Sequence, residues 1–385
     1  MKTLASSLDE REIIEFTQQM IRTPSLSGEE ANVAEQVAAE MNRLGYDRVE
    51  IDDRHNVIGY INPGGRPMVM LNGHIDHAGV GQMKDPFSAL IVDGSRFGSS
   101  GDAIYGRGAC DMKGAVAAMV HAAATLKGRP GLKGGAVVTA VALEEKGEGE
   151  GTKHVLSHGV RADFAVCGEA TGMRVNVGHR GKFNVRVTTR GRTSHACSPD
   201  RGINAIYKMG PFLGRLQTEY TLPSHAILGQ CTCTVVDITA SPGWTSPAVP
   251  DSCSVIVDRR TLPGETEEQV LAELKQIAAR VAEKDPQFRA HMEIVTRTSP
   301  MWIDPSNPIV HRVEQARSRI LGDQQPVGAW LFGTDAPYII EQGIPCVGFG
   351  PGNETFAHSE QDHVPIKDVI DSARVYAQIL EDQCL

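Results

Sequence analysis

No run of apolar residues in this chain approaches the length needed to cross a bilayer, and the opening Met1-Lys2-Thr3-Leu4-Ala5 leads into charged residues instead of a signal-peptide core. The expected compartment is therefore the cytoplasm, with no membrane as partner. A surplus of positive charge is also lacking: 38 Lys and Arg against 47 Asp and Glu give a formal net charge of -9. That balance argues against nucleic acid, or an anionic membrane surface, as the main partner. The eight cysteines are scattered and make no C-x-x-C framework for zinc or redox chemistry. Cys231 and Cys233 share a face of an expected strand and read as small buried apolar residues. Sequence repeats and low-complexity linkers are missing too. What remains is 385 residues, 41% of them hydrophobic, enough for two domains or for one domain with a large insertion.

The pattern along the chain is α/β. Helical spacing of Ile13, Ile14, Phe16, Met20 and Ile21 predicts a helix from Asp9 to Arg22, and Val33, Val37, Ala38 and Met41 predict another over Ala31 to Leu44. Short apolar runs at Val49-Asp52, Val57-Asn62 and Met68-Leu71 read as strands, and the last leads into His74-Ile75-Asp76-His77. Ala136 to Leu143 is a buried-type strand running into Glu144-Glu145. Phe164 to Gly168 ends in Glu169, and Pro345 to Phe349 leads through a glycine-rich loop to His358. Strands alternating with helices imply a largely parallel sheet, with functional residues beyond the carboxyl ends of its strands. From about Gly181 to Val295 the order changes to β-α-β-β-α-β, a ferredoxin-like unit inserted into the first domain.

The stretch Tyr105-Gly106-Arg107-Gly108-Ala109-Cys110-Asp111-Met112-Lys113-Gly114 centres on one carboxylate. Asp111 stands just before an Ala-rich helix, Ala115 to Ala124, where an acid also serves as an ordinary N-cap. Its company favours chemistry, because His74, Glu145, Glu169 and His358 follow other strands toward the same end. Two histidines and several carboxylates suit a divalent first-row metal, zinc first, with manganese or cobalt as alternatives. These five ligands exceed the three that one catalytic zinc usually takes, which points to two ions sharing a carboxylate. Such a pair activates water and polarises a carbonyl. Glu144, beside a ligand, is placed to take the proton of that water and pass it to a leaving amine. Asp76 suits the support of His74 better than ligation, and His77 stays unassigned. Taken singly, each residue has an ordinary structural reading: Glu144-Glu145, followed by Lys146, Glu148 and Glu150, also fits a solvated turn. Glu265, Glu267, Glu268 and Glu273 read as solvated helix faces.

In this order the pieces Gly73-His74-Ile75-Asp76, Gly106 to Gly114, Glu144-Glu145, Gly168-Glu169 and Ala357-His358 resemble the dinuclear zinc amidohydrolases. That family includes acetylornithine deacetylase, succinyl-diaminopimelate desuccinylase, aminoacylase and related carboxypeptidases. Ser194-His195-Ala196-Cys197-Ser198-Pro199, Gly202-Ile203-Asn204-Ala205, Asp258-Arg259-Arg260 and Gly333-Thr334-Asp335-Ala336 extend the likeness over nearly the whole chain. It implies a zinc-peptidase-like catalytic domain with a mixed, mostly parallel sheet, residues 1-180 and 296-385, and an inserted ferredoxin-like α+β lid or dimerisation domain, 181-295. By the same likeness His74 and Glu169 hold one zinc, Glu145 and His358 the other, and Asp111 bridges them. Glu144 is the general base and Asp76 supports His74. A non-proline cis peptide follows Asp111. His195 stabilises the oxyanion in the site of a dimer partner, and Arg260 and Thr334 contact substrate. One departure stands out: many relatives carry Asn where this chain has Pro247, so a usual substrate contact is missing or supplied elsewhere.

The expected protein is a cytoplasmic, homodimeric di-zinc hydrolase that cleaves the amide bond of a small N-acylated amino acid or related derivative. A dipeptidase or carboxypeptidase with the same centre is the nearest alternative, and a hydrolytic deaminase stands further off. A non-catalytic binding or assembly protein on the same fold is the alternative of another class.

Overall fold

A computed structural model of the chain describes residues 3–147 and 149–385. Met1 and Lys2, part of the opening read above, and Glu148, read with the turn after Glu145, lie outside the described residues. The chain divides into two compact units. One runs to His179 and resumes over Met301–Leu385; the other is Arg180–Pro300. The second unit extends past residue 295 because its last strand, Ala290–Thr298, continues three residues beyond the apolar stretch that announces it.

The first unit is built on a mixed sheet. Its order is Arg48–Ile51, Val57–Ile61, Gly135–Val141, Met68–His74, Phe164–Cys167, Cys346–Gly348, Asn176–His179 and Met301–Trp302, with Gly328–Trp330 paired to Asn176–His179. The parallel part is its centre, where Gly135–Val141, Met68–His74, Phe164–Cys167 and Cys346–Gly348 lie side by side. The strands flanking that centre pair antiparallel, apart from Gly328–Trp330. Met68–His74, Gly135–Val141 and Phe164–Cys167 are buried over their whole length, as expected for parallel strands covered on both faces. Helix Gly114–Ala124 packs on this centre and against the C-terminal helix Ile366–Cys384. Apart from His121 it is apolar all round, and it is buried from Gly114 to Ala123, which suits a helix enclosed on more than one side. A small antiparallel sheet, His363–Pro365, Asp102–Tyr105 and Leu90–Asp93, completes the unit. Its strands are too short and broken by charge to stand out in the sequence. Among the described residues, no helix is long and apolar enough to cross a membrane.

The second unit is built on a four-stranded antiparallel sheet in the order Cys233–Ser241, Ser252–Thr261, Gly181–Arg190, Ala290–Thr298. Helices Ala205–Glu219 and Glu267–Ala282 supply Phe212, Leu216 and Leu274 to a core with Val185, Val187 and Val255. Burial alternates along Ser252–Thr261, as a sheet with one covered face requires. Thr266 and Gln269 form a reciprocal capping box at the start of the second helix. Glu265 departs from the expected solvated face. It pairs at 2.5 Å with Arg259, whose side chain is fully buried and also reaches the Tyr220 hydroxyl at 2.9 Å.

Candidate metal centre

The four central parallel strands end at one edge of the sheet, and the segment after each carries part of a single cluster. His74 closes Met68–His74, Glu144 and Glu145 follow Gly135–Val141, Glu169 follows Phe164–Cys167, and His358 comes from the loop after Cys346–Gly348. Asp111 joins them from the segment before helix Gly114–Ala124. Its backbone is extended, with φ -125 and ψ 92, so it does not cap that helix. Its carboxylate spans the cluster instead: Oδ1 lies 2.8 Å from His74 Nε2 and Oδ2 lies 3.1 Å from His358 Nε2. Glu169 Oε1 is 3.5 Å from His74 Nε2, and Glu145 Oε2 is 2.8 Å from His358 Nε2. Each imidazole thus faces Asp111 and one glutamate.

The Asp111 segment is held by buried polar contacts. Asp362, fully buried, accepts from the backbone N–H of Gly108 at 2.8 Å and of Cys110 at 3.0 Å, and from the Arg107 guanidinium at 3.1 Å. Gly106 must be glycine, because a Cβ there would sit 2.4 Å from Ile21 Cγ2 and 3.0 Å from the Pro86 carbonyl. The Asp111-Met112 peptide bond is cis.

Asp76 organises the other side. Its Oδ1 accepts from Glu144 N–H at 3.2 Å and lies 3.4 Å from His74 Nδ1, while Oδ2 accepts from Glu145 N–H at 3.1 Å and the Ser27 hydroxyl at 2.7 Å. Asp76 therefore orients the His74 ring through its backbone carbonyl, 3.1 Å from Nδ1, together with its carboxylate, and the same buried carboxylate fixes the backbone of both glutamates. The loop is pinned further where Glu30 accepts from Leu143 N–H and Asn56 accepts from Ala142 N–H. His77 is occupied elsewhere: Nε2 accepts from Ser25 N–H at 3.0 Å and Nδ1 donates to the Ala78 carbonyl at 2.7 Å.

Electrostatics of the cluster favour cations. Among the described residues the ion pairs of Asp111, Glu145 and Glu169 are all with His74 and His358. Burial alone would raise the Asp111 pKa, yet hydrogen bonds from His358 and His74 hold it well below the usual carboxylate range. Hydrogen bonds to Asp111 and Glu145 push His358 up to about 10. Burial would depress His74, but Glu169, Asp111 and Asp76 carry it well above its ordinary value. Burial, with Asp111 nearby, pushes Glu169 well up, and burial with Asp335 and Glu169 does the same for Glu144. Protons thus compensate the crowded carboxylates where no cation is present. Glu169 Oε2 is buried without a hydrogen-bond partner among the described residues. An orphaned carboxylate oxygen beside imidazole nitrogens and further carboxylates fits a divalent metal donor set.

Thr334 is buried; its N–H donates to His179 Nε2 at 3.1 Å, and its hydroxyl oxygen accepts from Ala336 N–H at 3.3 Å. Its neighbour Asp335, passed over in the sequence although it sits inside the matched Gly333-Thr334-Asp335-Ala336, is buried and accepts from the Thr152 hydroxyl at 2.6 Å. Burial raises Asp335 to about 6. Neither spacing nor charge distinguishes Ser27, Asn56 and Asp362 in the sequence. In the second unit His195 is exposed, and its Nδ1 accepts from Cys197 N–H at 3.2 Å. Arg260 Nε donates to Asp258 at 2.9 Å, which engages part of its guanidinium.

A sequence profile described as peptidase family M20/M25/M40 matches residues 70–382. The chain belongs to that family. Like other members of peptidase family M20/M25/M40 it is a metal-dependent hydrolase acting on acyl amino acids or peptides. It is 33% identical over 391 residues to the uncharacterized protein YgeY of Escherichia coli (strain K12), covering 94% of this chain and 92% of that one. It is 29% identical over 325 residues to acetylornithine deacetylase of Myxococcus xanthus, covering 83% and 81%. The family fold is matched by the crystal structure of Bacillus subtilis YXEP, described as a dinuclear metal-binding peptidase, with a TM-score of 0.73, 18% identity and coverage of 97% and 98%.

Proposed function

We propose that this chain is a dinuclear zinc amidohydrolase that removes the acyl group from a small N-acylated amino acid or related amino-acid derivative. One observation carries the reading: the two oxygens of Asp111 face His74 and His358 separately, and each histidine is paired with its own glutamate. His74 and Glu169 would hold one ion, Glu145 and His358 the second, with Asp111 shared. When bound, two divalent ions activate a water and polarise the scissile carbonyl. Zinc suits the mixed imidazole and carboxylate donors, with cobalt or manganese as substitutes.

The chain's own residues move the proton. Half-buried Glu144 has its pKa raised by burial and by neighbouring acids, which makes it a stronger base toward the attacking water than an exposed carboxylate. It accepts that proton at its carboxylate and delivers it to the nitrogen as the C–N bond breaks, so water ends divided between the acid and the amine. Asp76 keeps Glu144, Glu145 and His74 in register. His195 serves the partner copy's site: a backbone N–H already occupies Nδ1, so the neutral ring carries its proton on Nε2, the donor an oxyanion needs. Arg260 and Thr334 contact the substrate, with Arg260 presenting guanidinium N–H groups beyond the one given to Asp258. The loss of an amide side chain at Pro247 moves recognition of the substrate to other groups.

The protein acts in the cytoplasm as a homodimer. Exposed Val236 and Ile238 on edge strand Cys233–Ser241 support self-association through the second unit. The deacylase reading draws on the relative named acetylornithine deacetylase. It is tested by amine release from N-acetyl, N-succinyl and N-carbamoyl amino acids and dipeptides with zinc-reconstituted protein. Turnover of one N-acyl class supports it; turnover of dipeptides alone replaces it with a peptidase.

A further inference from the structure

Away from the cluster just described, a second group of metal-type side chains joins the turn Asp52–Asn56 to helix Glu150–Ser157. His154 Nε2 lies 2.9 Å from Asp53 Oδ1 and 3.6 Å from Asp52 Oδ2, and the three donor atoms all lie within 4.8 Å of one another. His158, four residues on, lies against His154 with ring centroids 4.1 Å apart and the rings tilted by 31°. Both imidazoles therefore rise from one helical face. The four side chains line a cavity of about 350 Å³. We propose that this cradle is a third metal site, taking a divalent first-row transition ion such as zinc.

The donors are prepared for it. Asp52 Oδ1 accepts from Arg54 N–H at 2.9 Å and Asn56 N–H at 3.0 Å, and Oδ2 accepts from the Asn56 amide at 2.7 Å, so this carboxylate is held in place before any ion arrives. His158 Nδ1 donates to the His154 carbonyl at 2.8 Å, and its ring packs against the His154 imidazole, which steadies the ring that faces Asp53. The basic groups nearby are neutralised separately, Arg48 by Glu50 at 2.6 Å and Arg54 by Glu150 at 3.1 Å. Asp52 and Asp53 thus present a double negative charge to a divalent ion. Imidazole beside carboxylate selects a transition ion over calcium or magnesium, which favour oxygen donors alone.

An ion here would tie the strand hairpin to the helix, and the tie reaches the catalytic loop. Asn56 joins the two through its side chain, with its amide on Asp52 and its carbonyl oxygen accepting from Ala142 N–H at 2.8 Å, just before Glu144 and Glu145. The site takes no part in the reaction; it braces the segment that carries the two glutamates.

Calorimetric titration of full-length, metal-free protein with zinc alone at pH 7.5 tests this. Wild type should bind one more zinc per chain than His154→Ala, with that extra equivalent weakened at least about tenfold in the variant. Should His154→Ala fail to fold, Asp53→Asn gives the same comparison, since Asp53 is 83% exposed and its loss leaves packing intact. Equal zinc stoichiometry and affinity in wild type and the folded variant overturn the proposal. Because the readout is a difference between proteins that share an intact catalytic cluster, it is independent of whether that cluster fills with zinc.

Discussion

Replacing Asp76 with Asn changes one atom in a residue that touches no substrate, yet its effect should be large. The carboxylate accepts from Glu144 N–H, Glu145 N–H and the Ser27 hydroxyl and faces the His74 ring. Burial by itself would raise its pKa, but the hydrogen bond and charge of His74 keep Asp76 below the usual carboxylate range, so the ionised form is the one in place. An Asn side chain retains one acceptor oxygen and turns an NH₂ toward a backbone donor. At least one bond to a charged acceptor is lost, at about 1.5–3 kcal/mol. With about 1.4 kcal/mol per factor of ten, that is about a ten- to hundredfold loss, the range usual for residues that orient a metal ligand. Competition for zinc against a chromogenic chelator at pH 7.5 reads the affinity directly, and kcat on the best substrate reads the alignment of Glu144. A folded Asp76→Asn protein with wild-type zinc affinity and wild-type kcat would refute the reasoning.

The other predictions concern packing, protons and the second unit. Gly350→Ala should destabilise by about 1–3 kcal/mol or more and lower Tm, because the new Cβ would lie 1.9 Å from the Gly168 carbonyl and 2.5 Å from that of Glu169, and backbone cannot swing aside; an unchanged melting curve contradicts this. His195→Ala should lower kcat by about a hundred- to thousandfold with zinc content unchanged, and normal turnover would remove it from the oxyanion role. Zinc uptake should release protons at pH 7.5, since His358 is raised from 6.5 to about 10 and the metal requires the neutral ring. For the metal-free fold the sign is that of a raised pKa: the contribution of His358 is full below about pH 6.5 and is lost as pH rises through about 10. Calorimetry in buffers of different ionisation enthalpy counts the protons, and a count of zero contradicts the assignment.

Much of this was legible in the sequence because strand ends deliver the side chains of the cluster. His74, Glu145 and Glu169 each follow a short apolar run within a few residues, so locating the strands located the side chains. Two parts resisted for physical reasons. The sheet His363–Pro365, Asp102–Tyr105, Leu90–Asp93 has strands of three or four residues and an exposed edge, so no alternation rises above its surroundings. The supports of the cluster are polar residues defined by what they meet far along the chain: Asp362 with Gly108 and Cys110, Ser27 with Asp76, Asn56 with Ala142. Such partners carry no local pattern. The same holds for Arg259 and Glu265, whose charges suggest solvent and whose contacts are buried.

The central claim is that Glu144 moves the proton beside a metal pair held by other residues. The most direct measurement is amine release by zinc-reconstituted Glu144→Gln beside wild type, with bound metal quantified in the same samples. The account predicts two zinc ions at the Asp111 cluster in both proteins and a loss of about a hundred- to ten-thousandfold in kcat in the variant. Undiminished turnover by a Glu144→Gln protein with a full metal complement would contradict it.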